Sequence, residues 1–178
     1  IQPTIDWHRK AKEAGALFLI DAVQAYGRIA VTGADMIAVS AHKIHGPKGV
    51  GALWVRDGVN LHEQQTGGGQ EHGLRSGTLS PALIAGFGAA AALAKERMEQ
   101  DAAHIDAVWG RACTLCADWT LNGSEEVRWR GNLNIRKDGL DVGRLMSEAR
   151  QVMFSAGSAC ASGSGRPSHV LKAIGLSD

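Results

Sequence analysis

In the first part of the chain, a helical pattern comes first and short apolar runs come after it. Residues 5–14 mix apolar and charged positions and end at Gly15, which predicts a helix closed by a glycine. Three apolar runs come after it, each bounded by polar residues or glycine, which is typical of strands buried on both faces of a parallel sheet. The predicted strands are ALFLI (16–20), DMIAVS (35–40) and GALWV (51–55).

The pattern changes at Ser80, where alanine, leucine and charged residues replace the β-branched runs. Residues 80–119 are long enough for two successive helices, and Pro81 is a helix-start signal. Later segments predict a strand at 132–136, a helix at 141–150, a strand at 151–154, a glycine-rich loop and a helix from Pro167. We therefore expect an α/β chain in two parts, residues 1–85 and residues 86–178.

Composition narrows the function classes. The 178 residues are 44% hydrophobic and carry 19 basic against 18 acidic side chains, so bulk charge gives no reason to expect nucleic acid or a membrane surface as partner. The longest apolar stretch, GFGAAAALA, is shorter than the roughly 20 residues of a membrane-spanning helix. We expect a soluble, cytoplasmic protein with reduced cysteines. Cys113 and Cys116 have CxxC spacing, but they lie in a helical pattern without a second pair, so no metal site is expected.

Polar side chains follow two of the predicted strands. Asp21 ends the first, with Gln24 three residues on, and Lys43 comes just after the second, beside Ser40 and His42. Taken singly, a loop lysine is usually solvated and an aspartate at this place is more often a helix cap. Together they form the set that pyridoxal phosphate requires: an amine, a carboxylate for the pyridine nitrogen, and phosphate donors.

Four segments carry a family resemblance, in this order: LIDAVQAYG, SAHKIHGPKGVGALWVR, TGGGQEHGLRSGTL and SAGSACASGSGRPSHVLKAIGL. The chain resembles the cysteine desulfurases of the iron-sulfur-cluster and nitrogenase-maturation type. These enzymes form part of the class V aminotransferase branch of the type I pyridoxal-phosphate fold. The resemblance implies part of the large, mainly parallel-sheet domain, followed by a small C-terminal α/β domain.

The resemblance also implies site residues. Lys43 would hold pyridoxal 5'-phosphate as a Schiff base, and Asp21 would pair with its pyridine nitrogen. Gln24 would bond the phenolic oxygen, while Ser40 and His42 would hold the phosphate.

Two further residues extend the implied site. Thr78 would reach the phosphate of a neighbouring subunit, which implies a homodimer. Cys160 would take sulfur from L-cysteine as a persulfide, release L-alanine, and deliver the sulfur to an acceptor such as an iron-sulfur scaffold. The attacking cysteine must be a thiolate, and His42 and Lys43 are the candidates for activating it.

The chain also departs from the family. The glycine-threonine loop, ring-stacking histidine and asparagine that precede the first segment in the family, and the substrate-binding arginine that follows the last, have no counterpart here. We therefore expect weak or no cofactor retention by these 178 residues alone. Two alternatives remain open: a truncated, catalytically incompetent fragment or interaction module, and a selenocysteine lyase or other class V enzyme.

Overall fold

A computed structural model describes residues 1–157 and 168–176. The chain forms two compact units, Ile1–His104 and Ile105–Asp178. A long helix, α2 (Pro81–Leu115), contributes residues to both. The predicted division at residues 85 and 86 stays a prediction.

The first unit contains a three-stranded sheet. Its elements are α1 (Thr4–Glu13), β1 (Leu19–Asp21), β2 (Met36–Ser40) and β3 (Gly51–Val55). β2 lies in the centre, parallel to β1 and antiparallel to β3. Asp21 is the register partner of Ala38, and Ser40 is that of Gly51. Strands therefore form at all three predicted places, the first over only Leu19–Asp21, and the third runs in the opposite direction to the other two.

The prediction that these strands are buried on both faces was wrong. A small core forms around Ile20, Ala22 and Ala34, but Leu53 and Trp54 of β3 keep 47% and 52% of their surface exposed. Residues of the sheet and of α2 line an apolar cleft of about 1170 Å³ within this unit. Apolar runs therefore identified the strands, but they did not report what covers each face.

Residues 80–119 are long enough for two helices, but one helix forms there: α2 continues without a break for 35 residues. No proline follows Pro81 within it, and its glycines lower helix propensity without removing a hydrogen bond. No helix in residues 1–157 or 168–176 is long and apolar enough to cross a membrane.

The second unit pairs two short strands. It contains β4 (Thr120–Leu121), β5 (Ile135–Arg136), α3 (Val142–Glu148) and α4 (His169–Ala173). β4 and β5 are antiparallel. The predicted strand at 132–136 and helix at 141–150 are confirmed over fewer residues, but the strand predicted at 151–154 does not form. Its residues are exposed, Met153 to 91%, so the apolar run has no sheet to join.

A buried tryptophan and an asparagine pair organise this second unit. Trp109 keeps 8% of its surface exposed, and the guanidinium carbon of Arg128 lies 4.6 Å from the centre of its ring. Asn122 donates through Nδ2 to Oδ1 of Asn134 at 2.6 Å and accepts at Oδ1 from Arg136 at 2.9 Å. These contacts tie β4 to β5, because both asparagines flank the paired residues.

Candidate active site

Two strand ends bring the candidate site residues to one edge of the sheet. β1 ends at Asp21 and β2 ends at Ser40. Parallel strands have their carboxyl ends at the same edge and lie about 4.8 Å apart. Asp21 pairs with Ala38, two residues before Ser40, so the carboxylate and the hydroxyl belong to neighbouring strand ends. In α/β sheets this is the edge where ligands bind.

Lys43 lies on a short 3₁₀ turn, Ala41–Ile44, which we call the lysine turn. Ala41 and Ile44 are buried and anchor it, whereas Lys43 is half-buried. The backbone N–H of Ala41 donates to Val50 at 3.2 Å, and that of Gly46 donates to Ala41 at 2.9 Å. The lysine is therefore held on a fixed turn directly after a central strand.

The residues beside the lysine form a polar pair. Ser40 Oγ and His42 Nδ1 lie 2.8 Å apart, within hydrogen-bond distance. His42 is exposed and Ser40 is half-buried. The pair offers a hydroxyl and a ring nitrogen next to Lys43, and groups of this kind bind phosphate oxygens.

Asp21 is the last residue of β1 and Gln24 lies on the turn that follows it, and both residues are exposed. Asp21 Oδ1 accepts from the backbone N–H of Val23 at 3.0 Å, which holds the carboxylate in an Asx turn. No described residue bonds its second oxygen, so Oδ2 is the atom that can accept from a ligand. Gln24 Oε1 accepts from Arg28 Nη1 at 2.9 Å.

Small residues of α2 let the helix lie close to the residues that follow the lysine turn and to the turn after β1. A Cβ atom on Gly27 would lie 2.9 Å from Ile44 Cγ2 and 3.0 Å from Ala94 Cβ. A Cβ on Gly46 would lie 3.2 Å from Ala90 Cβ. One on Gly86 would lie 3.1 Å from Pro47 Cγ. Sequence reasoning missed this support, although its signal, small residues at 86, 90 and 94, repeats at the four-residue spacing of one helix face.

Comparison with known proteins shows the family. Residues 1–176 match the family model for aminotransferase class-V. The chain belongs to the class V aminotransferase family.

Several proteins with known names or structures are similar to the chain over nearly its whole length. The cysteine desulfurase IscS of Shewanella amazonensis is 42% identical over 176 residues, a match covering 94% of this chain and 44% of that relative. DndA from Streptomyces lividans is 29% identical with a TM-score of 0.80, covering 99% of this chain and 53% of DndA. SspA, solved in complex with cysteine, is 36% identical with a TM-score of 0.70, covering 99% and 51%.

This class V chain thus spans about half the length of the relatives it matches. The family resemblance is confirmed, and so is the assignment to part of the type I pyridoxal-phosphate-dependent fold. The observed sheet is mixed within the described residues, with a parallel pair at the candidate site.

The side chains at this edge fit pyridoxal phosphate chemically. Lys43 supplies an amine, Asp21 a carboxylate oxygen, Gln24 an amide, and Ser40 with His42 a hydroxyl and an imidazole. All five belong to the first unit and lie on two neighbouring strand ends and the turns that follow them.

Two implied residues remain, Thr78 and Cys160. Thr78 is exposed in the loop before α2. Two hydrogen bonds join the two ends of the preceding segment, residues 69–77. Ser76 Oγ accepts from the backbone N–H of Gly69 at 3.1 Å, and Gln70 Oε1 accepts from the backbone N–H of Gly77 at 2.9 Å. Cys160 lies outside the described residues.

The two cysteines with CxxC spacing lie around the end of α2. Cys113 is in α2 and Cys116 follows its end, both half-buried free thiols. Within residues 1–157 and 168–176, no group of three or more His, Cys, Asp or Glu side chains could hold a metal ion.

Asp35, a buried carboxylate at the start of β2, serves the fold. Its Oδ2 accepts from the backbone N–H of Phe18 at 2.8 Å, and its Oδ1 accepts from Arg56 Nε at 2.8 Å. His8 Nε2 lies 3.5 Å from the same Oδ1. The Phe18 hydrogen bond, followed by that of Arg56, holds the pKa of Asp35 below its ordinary value. A polar position before an apolar run is the one feature of the sequence that marks this residue.

Proposed function

We propose that this chain carries the cofactor lysine and the sulfur-accepting cysteine of a pyridoxal-phosphate-dependent cysteine desulfurase. The observation that carries the proposal is the grouping of Asp21, Ser40, His42 and Lys43 at the carboxyl edge of the parallel pair β1–β2. Support comes from curated relatives named cysteine desulfurase, which are about 40% identical to the chain.

Each residue at the edge has a task in this proposal. Lys43 would carry the cofactor on Nζ, and Asp21 would accept a hydrogen bond from the pyridine nitrogen at Oδ2. Ser40 and His42 would bind the phosphate, and Gln24 would bond the phenolic oxygen. When bound, pyridoxal phosphate supplies an electron sink that weakens bonds at the substrate's α-carbon.

The sulfur-transfer step would belong to Cys160. Its thiolate attacks the sulfur of L-cysteine, so that an S–S bond forms and the substrate's C–S bond breaks. The electron pair of the broken bond stays with the carbon skeleton, which takes up a proton and leaves as L-alanine. His42 and Lys43 remain the candidates for producing the thiolate, because only that form is the nucleophile. The structure of the relative SspA with cysteine supports this substrate.

The remaining expectations also belong to the proposal. Thr78 would contact the cofactor phosphate across a homodimer interface, and the persulfide on Cys160 would pass to an acceptor protein such as an iron-sulfur scaffold, in the cytoplasm. Light scattering tests the dimer on the hybrid enzyme that the next paragraph introduces. A molar mass of two chains supports the dimer, and a molar mass of one chain at all concentrations contradicts it.

The lysine assignment is tested with a hybrid in which the Shewanella amazonensis relative supplies the length that this chain does not match. We expect Lys43→Ala to lose the visible absorbance of the lysine-linked cofactor. Lys48→Ala is the matched control, because Lys48 is exposed on the adjacent turn. An unchanged absorbance band in Lys43→Ala would refute the assignment.

The cysteine assignment is tested in the same hybrid. Cys160→Ser should keep the cofactor absorbance and release no sulfide from L-cysteine, whereas Cys113→Ser, which changes a half-buried helix thiol, should retain turnover. Unchanged sulfide release by Cys160→Ser would contradict the role of Cys160. Turnover of selenocysteine but not of L-cysteine by the unmodified hybrid would favour a lyase instead.

A further inference from the structure

An arginine that no sequence pattern singled out connects the two segments of the candidate site. Arg28 Nη1 donates to the backbone oxygen of Gln24 at 2.7 Å and to its side-chain Oε1 at 2.9 Å. Arg28 Nη2 donates to the backbone oxygen of Lys43 at 3.1 Å. We propose that Arg28 is a positioning residue: it orients the Gln24 amide toward the cofactor and fixes the backbone of the lysine turn. This inference rests on the proposed function.

The orientation of Gln24 follows from the chemistry of the guanidinium. Arginine has five N–H donors and no acceptor, so only the oxygen of the Gln24 amide can face it. The amide NH₂ is therefore the end left for a ligand. An NH₂ group donates hydrogen bonds, and the phenolic oxygen of pyridoxal phosphate accepts them. Arg28 would thus convert an amide with two possible orientations into a donor of fixed direction.

The Lys43 carbonyl depends on Arg28 for a different reason. In a continuing helix this carbonyl would accept from the N–H four residues on, but that residue is Pro47, which has none. The N–H three residues on belongs to Gly46 and donates to Ala41 instead. Arg28 Nη2 satisfies the Lys43 carbonyl in their place.

The two segments are also in direct contact beside Arg28. Gly27 has a φ of +75° and approaches Ile44 so closely that a Cβ atom would lie 2.9 Å from Ile44 Cγ2. Gly27 and Arg28 therefore link the same two segments, one through packing and the other through hydrogen bonds. Arg28 is half-buried, which strengthens its hydrogen bonds relative to those of an exposed arginine.

The test combines substitutions of Arg28 and Gln24. Arg28→Met keeps an unbranched apolar stem and removes all three hydrogen bonds, and Arg28→Lys keeps the charge but replaces the planar fork with one ammonium. Arg97→Met is the matched control, since Arg97 is an exposed arginine of the same unit that bonds Asp101. Each variant is also made in a Gln24→Ala background, and circular dichroism verifies that each one folds.

Two measurements report the outcome, each made on the full chain and on the hybrid enzyme described above, with excess pyridoxal phosphate. Borohydride fixes the cofactor on the lysine that it occupies, and peptide mass spectrometry compares labelling of Lys43 with that of Lys48. The second measurement is the absorbance maximum of the bound cofactor, which responds to hydrogen bonding at the phenolic oxygen. Trapping detects weak, reversible occupancy, so it does not require tight binding.

We expect Arg28→Met to lower trapping at Lys43 about three- to tenfold and to shift the absorbance maximum, as the loss of oriented hydrogen bonds predicts. Arg28→Lys should recover part of the trapping, and Arg97→Met should match the unmodified chain. In the Gln24→Ala background the Arg28 substitution should no longer shift the maximum, because Arg28 acts on it through the amide.

Contrary outcomes separate the two proposals. An identical absorbance shift with and without Gln24, or no shift at all, overturns the positioning role while leaving Lys43 as the cofactor lysine. Labelling of Lys43 no greater than that of Lys48 in the otherwise unmodified hybrid enzyme overturns the proposed function, and the role of Arg28 with it. Hydrogen exchange of residues 22–28 and 41–46, measured without cofactor, should quicken in Arg28→Met, and unchanged exchange in both segments would also overturn the inference.

Discussion

Replacing Gly27 with alanine tests how the lysine turn is held in place. The new Cβ would lie 2.9 Å from Ile44 Cγ2 and 3.0 Å from Ala94 Cβ, distances at which a neighbour must move. The residue also has a φ of +75°, in the left-handed region that disfavours a side chain. The substitution therefore combines a backbone cost with a packing cost.

Both costs have known sizes. The left-handed conformation costs a non-glycine residue about 1–2 kcal/mol. Overpacking a close contact typically costs about 1–3 kcal/mol. We therefore expect Gly27→Ala to lower the free energy of unfolding by about 2–5 kcal/mol, a large part of the roughly 5–15 kcal/mol that stabilises a domain.

Gly58→Ala is the matched control. Gly58 belongs to the same unit and has a φ of +83°, but a Cβ there would meet nothing within 4 Å. It should carry the backbone cost alone, so the difference between the two variants measures the packing cost, about 1–3 kcal/mol. Ile44→Ala removes the Cγ2 atom that the new Cβ would approach too closely. In the double variant, Gly27→Ala should therefore lower the free energy of unfolding by less.

The assay is urea unfolding followed by circular dichroism, with hydrogen exchange reporting on residues 41–46. With a urea dependence of about 2 kcal/mol per molar, the expected loss moves the midpoint by roughly 1–2.5 M. Equal midpoints for Gly27→Ala and Gly58→Ala would refute the close contact between the lysine turn and the turn after β1. An unchanged cost of Gly27→Ala in the Ile44→Ala background would show that Ile44 is not the obstacle.

Three other substitutions test contacts that stabilise the two units. Asp35→Asn should lower the free energy of unfolding at neutral pH. Because the pKa of Asp35 is lowered in the folded state, its contribution to stability is present above about pH 4 and is lost as pH falls through the folded pKa. The urea midpoints of the unmodified chain and the variant should therefore converge on acidification, and parallel pH profiles would contradict this. Trp109→Ala should cost about 3–5 kcal/mol in the second unit, and Trp109→Phe clearly less, with midpoints as the readout; a loss below 1 kcal/mol would show that the ring is not part of a core. Asn122→Ala should cost about 1–3 kcal/mol, because it leaves Asn134 and Arg136 without their shared partner, and increased hydrogen exchange at residues 120–122 should accompany it.

The strands and the order of site residues could be predicted from the sequence. Apolar runs before Asp21 and before the lysine turn identified β1 and β2, because short apolar runs bounded by polar residues are typical of strands. The residue types at the strand ends then indicated pyridoxal phosphate. Local signals of this kind need only neighbours in the chain.

Other features depend on partners that are distant in sequence. The antiparallel direction of β3, the open face bearing Trp54 and the failure of residues 151–154 to form a strand were each decided by which segments pair and what covers them. Hydrophobicity reports that a residue favours burial, but it does not identify the covering surface.

The site shows the same division. Chain order placed Ser40, His42 and Lys43 together, since they lie within four residues of one another. Arg28, by contrast, meets Lys43 only because the turn after β1 folds back onto the lysine turn, and Gly27 permits that approach. The sequence thus determined which chemical groups the site contains. The tertiary structure decided which distant residues hold those groups in position, because a hydrogen bond between residues 15 apart in the chain requires the folded sheet.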